Sequence, residues 1–537
     1  MLNKISPHSW TYMLVALALI PWFIVQINMS INPDLAYLTA AAGHLLDGMR
    51  MSDAYYDTNP PLSVIVQIPP ALLVKLLHIP VYDAVFIFAL IAVALSSWAV
   101  YALLQKSDWS SPEQNQAILA TYILINTIGA NLYLGEKDHL LGLALFPFVL
   151  VQIAITHKIE INKTLKWTVI GAASVLILLK PHFGLIPLVM FGYRAVTQKR
   201  LTVFLDADFI ALASTALAYI ALIFTCFPDF IDEILPDALI LYTSRQESWV
   251  LSIAGLFILA CIGLILIAWL LPQKPQKAAI AFFILAGIAI IPFALQGKGL
   301  FYHSIPAILF ITAGLSLLIT QMSADALAKT SLKQHAASLA NITTTIAAII
   351  LLYTALPPNP LYMTHKDYRN SDLAKIINTC TKPDCSFFMF NDMIEITQQL
   401  AVYTGQPHAS RFPVFWFLPS LVQAEYDHQQ GGQGRISPKK TQELIKKYAA
   451  LVTQDFQTYQ PDTLIIRNPK TAGGIWESFD FMEFFSNQSP DFTKIAQNYE
   501  KTETITIDRS DYFKGTIFTS KPTRYDIYKK KRQTNEN

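Results

Sequence analysis

The stretch Ile31-Asn-Pro-Asp-Leu-Ala-Tyr37 follows an apolar run that extends from about residue 11 to residue 28. A run of this length can cross a bilayer as a helix. Because no small-residue cleavage site follows it, we predict a retained membrane anchor rather than a signal peptide. Pro33 directly precedes Asp34, which places the carboxylate at or near a helix start, where the helix dipole favours its ionised form. This acid is either a helix cap or a functional group.

The charged residues are distributed unevenly along the chain. Of the 537 residues, 53% are hydrophobic and 15% are charged, and the mean hydropathy is +0.38, whereas soluble proteins average about 25% charged residues. Residues 357–537 hold 42 of the 78 Asp, Glu, Lys and Arg residues. We therefore predict a transmembrane domain over residues 1–356 and a soluble domain over residues 357–537. The net charge of +2 gives no reason to expect a nucleic-acid partner.

Apolar runs long enough to span a bilayer recur through the first 356 residues. Eight lie near residues 82–104, 115–134, 139–156, 207–227, 249–271, 277–296, 301–320 and 337–356. Residues 166–194 are interrupted at Leu179-Lys-Pro-His182 and predict two short helices that rise and return. Residues 60–79 contain four prolines and predict a half-inserted helix within a first outer loop, residues 29–81. The sequence thus predicts a polytopic α-helical membrane protein with about 11 transmembrane helices.

Lys and Arg residues in the short loops predict the orientation of the chain. With a cytoplasmic N-terminus, the inside loops hold twelve of these residues and the short outside segments hold six, as the positive-inside rule requires. The C-terminal domain then lies outside, where Cys380 and Cys385 can close a small disulfide loop. We predict a multi-pass protein of the cell inner membrane with a periplasmic C-terminal domain.

Three more polar clusters fall on the predicted outer face. The second outer loop, Gly135-Glu-Lys-Asp-His139, is either a solvated turn or an acidic site. Lys180-Pro-His182 interrupts an apolar stretch, where a charge is costly and marks a functional candidate, although a lysine at a helix end can also extend to the interface. Gln296-Gly-Lys-Gly-Leu-Phe-Tyr-His303 is either a plain turn or a phosphate site, because its glycines permit close approach and its cations bind anions.

Acids and cations on one membrane face suit a reaction between an acceptor hydroxyl and a lipid-linked phosphate. A carboxylate can take the hydroxyl proton as a general base. Cations can stabilise the negative charge that develops on a leaving phosphate.

The chain resembles the GT-C superfamily of membrane glycosyltransferases, in particular the branch with bacterial aminoarabinose transferases and protein O-mannosyltransferases. The resemblance rests on Asn32-Pro-Asp-Leu-Ala-Tyr37 after an N-terminal span and on Asn59-Pro-Pro-Leu62 before the half-inserted helix. It covers the topology of roughly residues 1–356. It implies a polyprenyl-phosphate-linked sugar donor and a GT-C-like fold, often with a soluble domain on the outer side.

The resemblance also implies roles for single residues. Asp34 matches the catalytic acid of the first loop, and Lys180 matches a lysine that contacts the lipid phosphate. Glu136 or Asp138 occupies the place of a second-loop acid, and the sequence does not choose between them.

Two positions depart from the family pattern. Leu35 stands where many relatives have a second acid, and Asn59 stands where they have a lysine, so one phosphate-binding cation is missing. Lys298 or His303 is a candidate to replace it.

The sequence predicts an α/β or α+β fold for the C-terminal domain. Residues 386–390 and 463–466 predict strands, and residues 439–457 predict a helix. The aromatic segment at residues 403–417, which contains Arg411, predicts either a surface that stacks on a sugar or acceptor, or packing against the bilayer interface.

The leading hypothesis is an inverting glycosyltransferase that moves a sugar from a polyprenyl-phosphate donor to a hydroxyl of a lipid, glycan or protein. The alternatives are a transporter or flippase for a lipid-linked glycan, and a structural subunit with a sensory tail. No cofactor is assigned, and because outer-loop acids can also bind a divalent metal, a metal requirement stays open. The predicted catalytic residues are Asp34, Glu136 and Asp138, and the predicted substrate contacts are Lys180, His182, Lys298, Tyr302, His303, Tyr56, Asn59 and Arg411.

Overall fold

The computed structural model describes residues 7–242, 249–270, 276–330, 335–355, 364–392, 394, 396–432, 434–468, 479–507 and 522–531. By their contacts the residues divide into two compact units. The first, here called the helical unit, comprises residues 1–27, 85–222 and 246–359. The second, here called the mixed unit, comprises residues 28–84, 223–245 and 360–537. The predicted domain boundary between residues 356 and 357 lies outside the described residues.

Apolar helices make up the helical unit. Two of the helices named here, Val81–Leu104 and Ala207–Cys226, extend a few residues into the segments of the mixed unit. The α-helices are Pro7–Gln26, Val81–Leu104, Pro112–Leu124, Lys137–Thr156, Lys163–Leu176, Leu185–Gln198, Ala207–Cys226, Trp249–Leu270, Gln276–Ala289, Ile291–Gln296, Ile305–Leu327 and Ala336–Ala355.

Seven segments of the described chain are helical, long and apolar enough to cross a membrane. They are Val81–Leu104, Lys137–Thr156, Ala207–Cys226, Trp249–Leu270, Lys277–Gln296, Phe301–Leu327 and Ala336–Tyr353. Each coincides with one of the predicted spans. The other predicted crossings fall on the shorter apolar helix that ends at Gln26 and on helices that are interrupted.

The interruption at Lys180 has the predicted form. The helices Lys163–Leu176 and Leu185–Gln198 are separated by two 3-10 turns, Ile177–Leu179 and Pro181–Gly184. Lys180 stands between the turns with φ −143° and ψ 86°, because the proline that follows disfavours helical geometry at this position. The sequence therefore predicts both the break and the residue that occupies it.

The predicted span at residues 115–134 is less regular than a single helix. The α-helix ends at Leu124 and continues as a π-helical turn, Ile125–Gly129, and a 3-10 turn, Asn131–Tyr133. From the π-helical turn, Nδ2 of Asn126 donates to the carbonyl of Tyr122 in the α-helix at 2.9 Å. A π-helical turn shifts the side chains that follow it, and such turns are frequent at functional sites.

The mixed unit combines short helices with a four-stranded sheet. The strands are β1 (Phe387–Phe390), β2 (Thr463–Asn468), β3 (Tyr499–Ile507) and β4 (Thr523–Lys530), in the order β1-β2-β4-β3. Strand β1 pairs parallel to β2, and β4 pairs antiparallel to both β2 and β3. The helices are Pro33–Leu46, Met51–Ala54, Pro61–Ile65, Ile68–Leu77, Leu235–Leu241, His365–Arg369, Asp372–Ile377, Thr397–Thr404, Leu418–Gln429, Pro438–Tyr459, Phe481–Gln488 and Pro490–Ala496.

The two strands and the helix that the sequence predicts for the C-terminal domain are present in the mixed unit. Strand β1 is buried along its whole length, and the helix Pro438–Tyr459 buries its apolar side, including Phe456. The ring of Phe456 lies 4.5 Å from that of Phe388 on β1, measured between centroids. The helix thereby covers the sheet, as a parallel strand pair requires.

The aromatic segment at residues 403–417 belongs to this core. Phe412, Phe415 and Phe417 are almost completely buried, and Trp416 is 9% exposed. The ring of Phe417 stacks on Tyr448 at 3.9 Å between centroids. Both interpretations offered for the four rings are therefore wrong: they contact neither a sugar surface nor a bilayer interface, because they pack against one another and against neighbouring helices.

Cys380 and Cys385 are joined in a disulfide bond. The other two cysteines, Cys226 and Cys261, are free. Among the described residues, the one group with metal-ligand spacing is Cys380, Cys385 and Asp462. A disulfide removes both thiolates, so this group does not fit a metal ion.

Candidate functional site

The turn before the helix Lys137–Thr156 is buried rather than solvated. Glu136 caps this helix, and its Oε2 accepts a hydrogen bond from the backbone N–H of Asp138 at 3.0 Å. Glu136 and Asp138 are 0% exposed, and Lys137 is 6% exposed. Nζ of Lys137 lies 3.3 Å from Oε1 of Glu136. The charges of this turn are thus kept from water and arranged in pairs, which a buried charge requires.

His139 fixes the shape of the turn. Its Nδ1 accepts a hydrogen bond from the backbone N–H of Gly135 at 3.0 Å, which leaves the proton on Nε2. That Nε2–H then donates to the carbonyl of Asn126, 3.0 Å away in the π-helical turn. The histidine therefore ties the loop that carries Asp138 to the irregular end of the preceding helix.

Lys180 contacts three side chains from two other segments of the helical unit. Its Nζ lies 2.5 Å from Oδ2 of Asp138, 3.0 Å from Oε1 of Gln296 and 2.7 Å from Nδ1 of His303. An ammonium group has three N–H bonds, and here it meets three acceptors. Nδ1 of His303 accepts from Lys180 in the tautomer that carries its proton on Nε2, and in the other tautomer it donates to Oδ2 of Asp138. We refer to Asp138, Lys180, Gln296 and His303 as the lysine cluster.

Two further predicted residues border the lysine cluster. His182 lies two residues after Lys180, and its Nε2 accepts from the side-chain amide of Gln296 at 3.1 Å. The ring centroid of Tyr302 lies 5.3 Å from Nζ of Lys180, within the range of a cation–π interaction. The amide of Gln296 consequently connects a histidine on one side with the lysine on the other.

The segment at residues 296–303 is shaped by two glycines. Gly297 and Gly299 flank Lys298 and have φ values of +64° and +69°, which glycine adopts without strain. A Cβ at Gly299 would lie 2.3 Å from the ring of Trp249. A side chain at this position would therefore require the Trp249 ring to move, and the close approach brings the segment that ends at His303 against the neighbouring helix.

Asp138 retains one acceptor that no described group occupies. Its Oδ2 contacts Lys180 and also lies 3.2 Å from Nδ1 of His303, while its Oδ1 is buried without a hydrogen-bond partner in the described part of the chain. A buried carboxylate oxygen without a partner is costly. Such an atom is suited to accept a hydrogen bond from a substrate hydroxyl.

Asp34 lies in the mixed unit, at the start of the helix Pro33–Leu46. Oδ1 of Asn32 accepts hydrogen bonds from the backbone N–H groups of Asp34 at 2.9 Å and of Leu35 at 3.3 Å. Asn32 is the cap, and Asp34 occupies the first turn with a half-buried side chain. The prediction of an acid at a helix start is confirmed, and because Asn32 caps the helix, the carboxylate of Asp34 is not needed for that purpose.

The other predicted contacts in the mixed unit take part in its packing. Oη of Tyr56 donates to the carbonyl of Glu233 at 2.7 Å, and the ring is fully buried. Arg411 is 6% exposed and pairs with Asp455, with Nε 2.8 Å from Oδ1. The side-chain amide of Asn59 donates to Asp57 at 2.5 Å.

The sequence missed two members of this arrangement. Gln296 lies at the start of the third polar cluster and His139 at the end of the second, and the sequence pattern predicts a role for neither. The sequence feature that could have identified them is a polar side chain at the end of an apolar helix, next to charged residues that are site candidates. Their importance depends on which segments meet in space, which the sequence alone does not specify.

Similarity to known proteins was found at the level of structure. No protein-family model and no curated protein sequence matches the chain. The crystal structure of ArnT from Cupriavidus metallidurans in the apo state matches with a TM-score of 0.51 and 12% identity, covering 97% of both chains. ArnT is an aminoarabinose transferase of the GT-C superfamily. The chain has the GT-C fold.

Two other structures are similar over much of the chain. ArnT from Cupriavidus metallidurans bound to undecaprenyl phosphate matches with a TM-score of 0.48 and 14% identity, covering 88% of this chain and 95% of that one. Arabinofuranosyltransferase AftD from Mycobacteria matches with a TM-score of 0.42 and 13% identity, covering 97% of this chain and 40% of that one. The predicted fold class, a polytopic α-helical membrane protein of GT-C type with a C-terminal domain built on a small sheet, is confirmed.

Proposed function

We propose that this chain with a GT-C fold is a membrane glycosyltransferase that uses a sugar linked to polyprenyl phosphate. The observation that carries the proposal is the lysine cluster, in which one largely buried ammonium is held by three side chains from two other segments. A charge in such a place is costly to maintain. A function that requires a cation explains the charge at this position. In the GT-C superfamily that the sequence resembles, the matching lysine contacts a lipid phosphate.

A substrate phosphate can bind at the lysine cluster by replacing Asp138 as the partner of Lys180. Lys180 is paired with Asp138, so its charge is balanced before substrate arrives. A phosphate oxygen that takes the place of Oδ2 would keep the ammonium paired, and Gln296 and His303 would hold the nitrogen during the exchange. Charge-assisted hydrogen bonds of this kind are about twice as strong as neutral ones.

The reaction is a single displacement at the anomeric carbon. The acceptor hydroxyl loses its proton to a carboxylate, its oxygen forms a bond to the anomeric carbon, and the bond from that carbon to the phosphate oxygen breaks. The polyprenyl phosphate leaves with one more negative charge, which a cation stabilises. We assign Asp34 as the general base and Lys180 as the cation, and the configuration at the anomeric carbon inverts.

The remaining assignments are secondary. We propose that Asp138 or Glu136 orients the acceptor and that His182, Lys298, Tyr302 and His303 assist at the phosphate. The sequence predicts Tyr56, Asn59 and Arg411 as substrate contacts; because these side chains are engaged within the mixed unit, we propose that they support the first loop instead. The acceptor is a hydroxyl of a lipid, glycan or protein. The disulfide between Cys380 and Cys385 supports an oxidising compartment for the C-terminal segment, in line with an inner-membrane protein whose reaction takes place on the periplasmic face.

The test is transfer from a radiolabelled polyprenyl-phosphate sugar in membranes that contain the full chain. We expect Lys180→Gln to lower transfer by about 100-fold or more, on the scale of losing one stabiliser of developing charge. Lys163→Gln is the matched control, because Lys163 is exposed at the start of a neighbouring helix.

Full transfer by Lys180→Gln contradicts the proposal. Loss of lipid-linked sugar translocation by this variant, in membranes whose unaltered chain shows no transfer, would support the transporter instead.

A further inference from the structure

One peptide unit ahead of Asp34 is held on both sides by a single helix of the C-terminal segment. The backbone N–H of Ile31 donates to Oη of Tyr403 at 2.7 Å. The side-chain amide of Gln399 donates to the carbonyl of Ile31 at 3.0 Å. Tyr403 and Gln399 lie one turn apart on the helix Thr397–Thr404. The two polar backbone groups of Ile31 are therefore both fixed by residues more than 360 positions away in sequence.

The residues before Ile31 are held by the same segment. Met29 and Thr364 form an antiparallel bridge, and the backbone N–H of His365 donates to the carbonyl of Asn28 at 3.1 Å. Nδ1 of His365 lies 3.0 Å from Oη of Tyr403. The hydroxyl of Tyr403 thus accepts from Ile31 and can donate to His365, so it connects the two parts of this contact.

The far end of the first outer loop meets the same side chains. The ring of Tyr82 lies 4.2 Å from that of His365, measured between centroids. Nη2 of Arg369 donates to Oη of Tyr82 at 3.1 Å. We refer to His365, Arg369, Gln399 and Tyr403 as the clasp, because these residues hold both ends of the loop.

The position of Ile31 is transmitted directly to Asp34. Ile31 and Asn32 are both 6% exposed, so neither residue has room to move independently of its surroundings. Asn32 caps the helix through the N–H groups of Asp34 and Leu35. Pro33, the first helical residue, has a fixed φ, which removes one backbone rotation between the cap and Asp34.

We infer that Tyr403 and Gln399 are positioning residues, which fix the backbone ahead of Asp34 and so set the place of its carboxylate. The inference rests on the proposed role of Asp34 as general base. It gives the C-terminal segment a defined part in the reaction: it supplies no reacting group and holds the loop that does. A misplacement of about 1 Å at a reacting group can cost about 100-fold in rate.

The ionisation state of Tyr403 suits this part. Burial raises the pKa of the Tyr403 phenol, so the group remains a neutral hydroxyl through the physiological range. It can therefore accept and donate at the same time under any condition in which the reaction is measured.

Two variants remove the contacts and keep the shapes of the side chains. Tyr403→Phe deletes the hydroxyl and retains the ring, which stacks on Tyr368. Gln399→Glu replaces the donor to Ile31 by an oxygen, while the remaining oxygen still accepts from the backbone of Ile396. Tyr426→Phe is the matched control, since Tyr426 is 44% exposed in the same unit.

The experiment compares two measurements on the full chain in nanodiscs. Hydrogen exchange at residues 28–37 should become faster in Tyr403→Phe and Gln399→Glu and stay unchanged in the control. In the same samples kcat should fall by about 10- to 100-fold, with the half-saturating donor concentration unchanged. A merely structural role would lower the amount of folded protein and leave kcat per folded molecule as it was.

The possible results distinguish a failure of the positioning role from a failure of the proposed function. Unchanged exchange at residues 28–37 in both variants overturns the clasp. Faster exchange with unchanged kcat overturns the positioning role, provided that Asp34→Asn is inactive. If Asp34→Asn transfers sugar at the full rate, the general-base assignment has failed, and the positioning role fails with it whatever the exchange data show.

Discussion

Nζ of Lys180 lies 2.5 Å from Oδ2 of Asp138, and the two side chains are 11% and 0% exposed. A buried ion pair contributes little net stability, but removal of one partner leaves a charge without compensation and costs about 3–5 kcal/mol. We therefore expect Asp138→Asn to lower the melting temperature of the purified protein clearly, and to do so more than an exposed change such as Asp53→Asn.

A double variant tests whether the loss of thermal stability comes from the ion pair between Asp138 and Lys180. Lys180→Met in the background of Asp138→Asn removes the uncompensated ammonium, so the melting temperature should recover by at least half of the loss. Transfer should stay absent, because the cation at the proposed phosphate site is gone. A double variant as unstable as Asp138→Asn would mean that Asp138 acts on stability through other contacts.

Asp34→Asn tests the general base. An amide has the shape of the carboxylate but does not take a proton at neutral pH, so we expect transfer to fall by about 100-fold or more. The cap of the helix is supplied by Asn32, so the amount of inserted protein should not change. Asp53→Asn, on the exposed side of the next short helix, is the matched control.

The choice between Glu136 and Asp138 shows where sequence reasoning ends. Both acids lie in one short turn, and both were candidates for the same place. The structure separates them, because Glu136 caps the helix and pairs with Lys137 while Asp138 contacts Lys180 and His303. Which side chain points where depends on the residue at which the helix begins, and composition does not determine that residue.

Hydropathy predicted the fold better than it predicted the surroundings of polar and aromatic groups. The break at Lys180 followed from a proline and a charge within an apolar run, which are local properties. The burial and contacts of Phe412, Trp416 and Arg411 depend on what packs against them, which is not a local property. An aromatic segment beside a membrane protein has the same composition whether it faces lipid, sugar or the protein core.

The disulfide between Cys380 and Cys385 predicts the compartment of the C-terminal segment. If this segment is periplasmic, the two thiols of the native protein should resist alkylation in intact cells until a reductant is added. Expression in a strain without periplasmic thiol oxidation should make them reactive. Alkylation of both cysteines without reductant in normal cells would contradict the proposed orientation.

His408 predicts an acid sensitivity of the mixed unit. Burial lowers its pKa to about 4, and its Nε2 accepts from the backbone N–H of Met389. The unfolded chain binds a proton near pH 6.5 and the folded chain only near pH 4, so stability falls over this interval by about 3 kcal/mol. We expect His408→Gln to lose this dependence. Melting temperatures at pH 7 and pH 5 measure it; equal shifts in both proteins would exclude His408 as the cause.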